Sequence, residues 1–168
     1  GADYGVKVEN VSFDHSKVVD RKQKVVKALV SGVGATMASG GVKVYMAEGV
    51  IKGRSPAGGF DVQAGGETIN GDRLVIATGS VTAVPPVPGL KEGLGSGFVL
   101  TNREILDLRE LPQSLICIGG GVIGLEMACY FATVGVKVTI IEMLPKIAGP
   151  TDKDICNNLM NTYKKEGM

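Results

Sequence analysis

The stretch that decides the fold is Leu115-Ile116-Cys117-Ile118-Gly119-Gly120-Gly121-Val122-Ile123-Gly124. Four apolar residues that end on a glycine suit a buried parallel strand, and the glycines at 119, 121 and 124 match G-x-G-x-x-G. Each glycine has its own task. Gly119 permits the tight turn out of the strand, Gly121 lets main chain approach a pyrophosphate, and Gly124 lets the next helix lie close on the sheet. The start of that helix offers free N–H groups and a positive dipole end to phosphate.

Downstream, Ile123, Met127, Phe131 and Val134 follow helical spacing, Ala128 and Ala132 permit close approach, and Gly135 is placed to stop the helix after about three turns. A second apolar strand, Val136 to Ile141, ends on Glu142, where a carboxylate can accept hydrogen bonds from the adenosine ribose hydroxyls. An acid there favours NAD over NADP, because it repels a 2′-phosphate. The same geometry serves FAD or an adenosine-containing methyl donor. An earlier Gly32-Val33-Gly34 lacks the third glycine and follows a helical pattern, so it reads as a loosely packed helix end.

Outward from this unit, Asp14 or Ser16 is expected to cap a helix from about Lys17 to Met37, with Val18, Val25, Val26, Leu29, Val30 and Val33 facing inward. His15, the only histidine, reads as a solvated residue near that cap. The period then changes to two. Val42, Val44 and Met46 alternate with polar or small neighbours, and short strands follow near residues 60–63 and 67–70, which makes a small antiparallel β-meander.

Leu74-Val75-Ile76-Ala77 is continuously apolar and suits a central parallel strand, with Thr78-Gly79-Ser80 at its carboxyl end, where α/β sheets bind ligands. A stiff exit, Pro85-Pro86-Val87-Pro88-Gly89, leads to a short strand at 98–100 and a short helix at 102–108. Leu111-Pro112-Gln113-Ser114 marks the expected domain boundary. The last segment opens on Thr151-Asp152-Lys153-Asp154, resembling a capping box, and continues through Ile155, Leu159 and Tyr163 as an amphipathic helix.

Composition narrows the function classes. Eighteen basic residues against seventeen acidic, without a basic cluster interleaved with aromatics, argue against nucleic acid as a partner. No apolar run approaches the ~18 residues of a membrane span, and Gly1-Ala2-Asp3-Tyr4-Gly5 does not read as a signal peptide, so no membrane partner and a cytoplasmic location are expected. Cys117, Cys129 and Cys156 are too widely spaced for a zinc site or disulfide framework and read as reduced packing residues. No metal ligand and no catalytic residue is assigned. Two strands after residue 114, and a central-looking strand at 74–77 with no earlier parallel partner, imply an α/β fold that is incomplete within this chain.

Taken in order, Leu74 to Ser80, the proline-rich exit, Leu111-Pro112, Gly119 to Glu126 and Ile141-Glu142 resemble the pyridine nucleotide-disulfide oxidoreductases, over essentially all of the chain. The resemblance implies a Rossmann-like FAD/NAD(P)-binding fold, with residues 1–110 as part of an FAD domain carrying the meander and 114–168 as the first half of an NAD domain. It implies FAD near Gly49, Thr78, Gly79 and Ser80, and NAD on Gly119, Gly120, Gly121, Val122, Ile123, Gly124 and Glu142.

Glu126 reads as a first-turn acid of the nucleotide helix; the resemblance would aim it at a lysine beside the flavin. In such enzymes a dithiol passes electrons through a cystine pair to FAD and then to NAD. The resemblance further implies a homodimer acting on lipoyl groups of a multienzyme complex, while another disulfide reductase, an NADH oxidase or a non-catalytic nucleotide-binding module remain alternatives. The chain lacks the family's early flavin glycine motif, its cysteine pair separated by four residues, and its C-terminal histidine with a partnering acid.

Overall fold

The computed structural model describes Gly5 and residues 7–168; the other opening residues, read above for a leader, lie outside that range. In chain order the elements are α1 (His15–Ser39), β1 (Gly49–Arg54), β2 (Phe60–Ala64), β3 (Glu67–Gly71), α2 (Asn102–Leu106), β4 (Ser114–Ile118), α3 (Val122–Thr133), β5 (Lys137–Ile141) and α4 (Lys153–Lys165). They fall into two compact units: the chain up to Arg21 together with Thr82–Met168, and Lys22–Val81.

The first unit carries the βαβ segment. β4 and β5 pair in parallel, from Ser114 opposite Lys137 to Ile118 opposite Ile141. α3 crosses between them and lays Leu125, Ala128 and Phe131 inward. Phe131 and Ala128 pack with Ile105, Val136 and Val138, whereas Leu125 joins Ala148, Cys156 and Tyr163 of the α4 layer. The expected inner face therefore holds at Phe131, with Met127 and Val134 at its margin, but Ile123 is exposed and Leu125 takes an inward place.

Both long helices of this unit stop in the same way. Gly135, at φ +96°, donates its N–H to Ala132 O at 3.0 Å while Val136 N–H reaches Phe131 O at 3.0 Å. Gly167 and Met168 repeat the pattern on Lys164 and Tyr163. This is the double carbonyl closure that a left-handed glycine allows. At its start α4 is capped by Asp152, whose carboxylate accepts from Asp154 N–H at 2.9 Å; the Thr151–Asp154 box is not formed. Cys156, rather than Ile155, turns inward.

His15 departs most from its expected role. It is buried, among the rings of Phe13, Tyr130 and Phe131. Nε2 lies 2.8 Å from Leu108 O and Nδ1 2.8 Å from the Tyr130 hydroxyl. A carbonyl only accepts, so Nε2 donates to Leu108 O, and Nδ1 shares a hydrogen bond with the Tyr130 hydroxyl. The local sequence suggested a cap, and Asp14 fills that role by accepting from Ser16 N–H at 3.0 Å. The partners of His15 lie 93 and 115 residues away, beyond any local signal.

In the second unit β1, β2 and β3 form the antiparallel meander. Gly65 and Gly66, both at positive φ, make the two-residue turn between β2 and β3. The first strand is Gly49–Arg54 rather than 42–47, with a bulge beside Gly53 at φ +117°. Its glycines disguised it as a turn.

Two apolar segments, Leu74–Ala77 and a stripe of α1, are uncovered among the described residues. Leu74–Ala77 forms no strand, and Val75 is 84 % exposed. A central parallel strand exists only through its neighbours' hydrogen bonds, and none of the described strands pairs with it. The stripe Val25, Val26, Leu29, Val30 and Val33 does share one face of α1, but it faces outward. Residues 98–100 contribute only a single bridge, Leu94 to Val99, and the helix after them ends at Leu106.

Tyr163 donates its hydroxyl to Leu125 O at 2.9 Å, fastening α4 to α3. Tyr163→Phe is expected to lower stability by about 1 kcal/mol, and an unchanged denaturation midpoint would contradict that role.

Candidate dinucleotide site

The site forms where β4 ends. Gly119 N–H continues the parallel ladder by donating to Ile141 O at 2.8 Å, and then the backbone turns at φ +103°. A Cβ added at Gly124 would stand 2.7 Å from Gly119 O, closer than side-chain atoms pack. Glycine at 124 is thus what lets the first turn of α3 rest on the end of β4. Around Gly119 and Gly121 the reverse holds, because added Cβ atoms would meet nothing within 4 Å. The main chain there borders open space.

Gly121 is the N-cap of α3, in extended conformation and with no side-chain cap. The first N–H groups of a helix have no intrahelical acceptor. No acidic side chain occupies the first turn, so nothing there cancels the positive dipole end. Glu126 is the fifth residue of α3 and solvent-exposed, which corrects the expectation of a first-turn acid.

Glu142 follows β5 and turns its carboxylate toward the glycines. Oε2 accepts from Gly120 N–H at 2.7 Å and Oε1 from Leu144 N–H at 2.8 Å. These donors, Leu144 first and Gly120 next, hold the carboxyl below the usual carboxylate range. An ionised carboxylate has about four acceptor positions, so two N–H bonds leave room for hydroxyl donors. Glu142 also lines a cavity of about 250 Å³ with Thr139, Ile147 and Tyr163. From the other side, Ala148 N–H donates to Gly120 O at 2.7 Å. Ile147 and Ala148 are members of the site that sequence reading missed, since an isoleucine and an alanine in a loop carry no binding signature.

The turn, the uncapped helix and the acid are therefore brought together from Gly119, Gly120, Gly121, Val122, Ile123, Gly124 and Glu142. The other expected residues lie in the second unit. Gly49 opens β1, where an added Cβ would make ordinary contact with Val62 at 3.9 Å. Thr78, Gly79 and Ser80 are exposed and outside regular structure, with Gly79 at φ +74° in open space.

Two outcomes follow from this geometry. Gly124→Ala must lift α3 from β4 and is expected to cost about 1–3 kcal/mol; a denaturation midpoint equal to the parent's would refute the close contact. Because the folded-state pKa of Glu142 is depressed, its contribution is full above the unfolded carboxylate value and is lost as pH falls through the lower folded value. The Gly120 and Leu144 amide resonances should shift together in that acid range and stay still in Glu142→Gln, whereas a transition in the ordinary carboxylate range would contradict the two bonds.

With this geometry established, comparison with known proteins gives a consistent result. The family model described as pyridine nucleotide-disulphide oxidoreductase matches residues 5–168. A dihydrolipoyl dehydrogenase of Acholeplasma laidlawii is 42% identical over 167 residues, covering 99% of this chain and 48% of that protein. That of Bacillus subtilis (strain 168) is 38% identical over 173 residues, covering 98% of this chain and 36% of its own. Among solved structures, the HOCl-induced flavoprotein disulfide reductase RclA from Escherichia coli, as its Cu(II) complex, is similar with a TM-score of 0.78 and 30% identity over 92% of this chain and 34% of that one. The chain thus spans a third to a half of the length of these relatives. With the glycine turn and a family model that matches residues 5–168, the chain belongs to the pyridine nucleotide-disulphide oxidoreductase family.

Proposed function

We propose that this chain is the central part of an FAD- and NAD-dependent dihydrolipoyl dehydrogenase, which oxidises dihydrolipoamide through a cystine pair and reduces NAD. The observation that carries the reading is the uncapped start of α3 beneath an open glycine turn, with the ionised Glu142 beside it. Dihydrolipoyl dehydrogenases among the similar proteins support the choice of substrate.

In this reading the main chain at Gly119, Gly120 and Gly121 borders the NAD diphosphate, and the N–H groups of Val122 and Ile123 donate to it. Gly124 keeps the helix close, and Glu142 accepts from the ribose hydroxyls and repels a 2′-phosphate. Gly49, Thr78, Gly79 and Ser80 line the FAD nucleotide, and Glu126 pairs with a lysine beside the flavin. Bound FAD and NAD supply the hydride chemistry, while the residues of this chain bind and orient them.

Residues 1–110 then belong to the FAD domain with its meander, and 114–168 form the first half of the NAD domain. Cys117, Cys129 and Cys156 are not spaced as the redox pair, which belongs to sequence outside this chain. We place the whole protein in the cytoplasm as a homodimer acting on lipoyl groups of a multienzyme complex, with neither nucleic acid nor membrane as partner. No helix of the described residues is long and apolar enough to cross a membrane. The similarity to an Escherichia coli flavoprotein disulfide reductase favours, as a second reading, a different disulfide or dithiol substrate.

The full-length protein is expected to purify with FAD and to reduce NAD with dihydrolipoamide. Absence of that turnover, with a different disulfide accepted, would favour the second reading. Glu142→Arg is expected to shift the NAD-to-NADP ratio of kcat/KM toward NADP by about tenfold or more. An unchanged ratio would remove Glu142 from the ribose.

A further inference from the structure

Gly120, at the crown of the turn, has both main-chain groups committed to the connection between β5 and α4. Its N–H donates to Glu142 Oε2 at 2.7 Å, and its carbonyl accepts from Ala148 N–H at 2.7 Å. Neither bond comes from the strand or helix that the turn joins. The side chain of Ile147 closes over the same residue, with Cγ2 3.0 Å from where a Cβ of Gly120 would be. The turn is therefore shaped from outside by residues 142–148.

Lys146, in the same connection, is fixed as well, because its ammonium donates to Thr151 O.

 Ala148 itself adopts φ +62°, the left-handed region, and Asn10 is the only other described non-glycine residue that does so. That conformation is uncommon for a side-chain-bearing residue and is held only where the surroundings impose it. Here they do: Ala148 is buried against Leu125, Cys156 and Tyr163, and its carbonyl accepts from Thr151 N–H at 3.3 Å.

We infer that Ala148 is a positioning residue for dinucleotide binding, whose left-handed backbone aims its N–H at Gly120 O and so holds the diphosphate turn in shape before the ligand arrives. This rests on the NAD reading above. A turn held in its binding form spares the ligand the cost of ordering it. A residue at 148 that resists positive φ would swing the 147–148 peptide away from Gly120 and loosen the turn.

The test compares Ala148→Gly and Ala148→Val in the full-length protein with its flavin bound, titrating NAD by calorimetry and recording thermal unfolding and the visible flavin spectrum. Glycine accepts the conformation freely, so Ala148→Gly should bind NAD within about twofold of the parent. Valine, branched at Cβ, opposes it, so Ala148→Val should bind about tenfold more weakly with an unchanged flavin spectrum.

Equal affinity in Ala148→Val, or equal weakening in both variants, would overturn the inference. Failure of the parent to bind NAD would instead overturn the NAD reading itself. If Ala148→Val does not fold, hydrogen exchange of the Ala148 amide in the NAD-free parent decides: slow exchange supports the bond to Gly120, and exchange at the rate of an open loop overturns it.

Discussion

The contact between Gly124 and the carbonyl of Gly119 is the constraint on which the rest of the site depends. With 2.7 Å between that oxygen and any Cβ at 124, only glycine lets α3 begin against the end of β4. The consequence is a helix start with no side-chain cap, directly beside a strand end, so its unpaired N–H groups and dipole face the open side of the turn. Glu142 completes the arrangement because the parallel register, Ile118 opposite Ile141, delivers the residue after β5 beside the residues after β4. Register, close approach and acid are one geometric fact seen from three positions.

This part of the molecule was legible in the sequence because its signals are local. Gly119, Gly121 and Gly124 each meet a backbone requirement within a few residues, and Gly135 announces the end of α3. What was not legible depends on distant partners. His15 takes its role from Leu108 and Tyr130, and Leu125 turns inward because Tyr163 and Cys156 pack against it. Gly120 is of the same kind. Its sequence context makes it one more glycine of the motif, whereas its surroundings tie it to Glu142 and Ala148.

The misread segments share another cause. Leu74–Ala77 and the outward stripe of α1 have the composition of buried elements, yet nothing among the described residues covers them. Ile116, Ile118 and Ile141 are likewise exposed on the face of β4 and β5 away from α3. Apolar pattern reports the need for a partner, not the partner's presence. The relatives of this chain are two to three times its length, and under the proposed function their additional sequence is what would cover these faces.

The most direct measurement is a crystal structure of the full-length protein with NAD bound. The diphosphate is expected within hydrogen-bond distance of the Val122 and Ile123 N–H groups, with the Glu142 carboxylate on the adenosine ribose hydroxyls. A diphosphate bound elsewhere, or a ribose out of reach of Glu142, would contradict it.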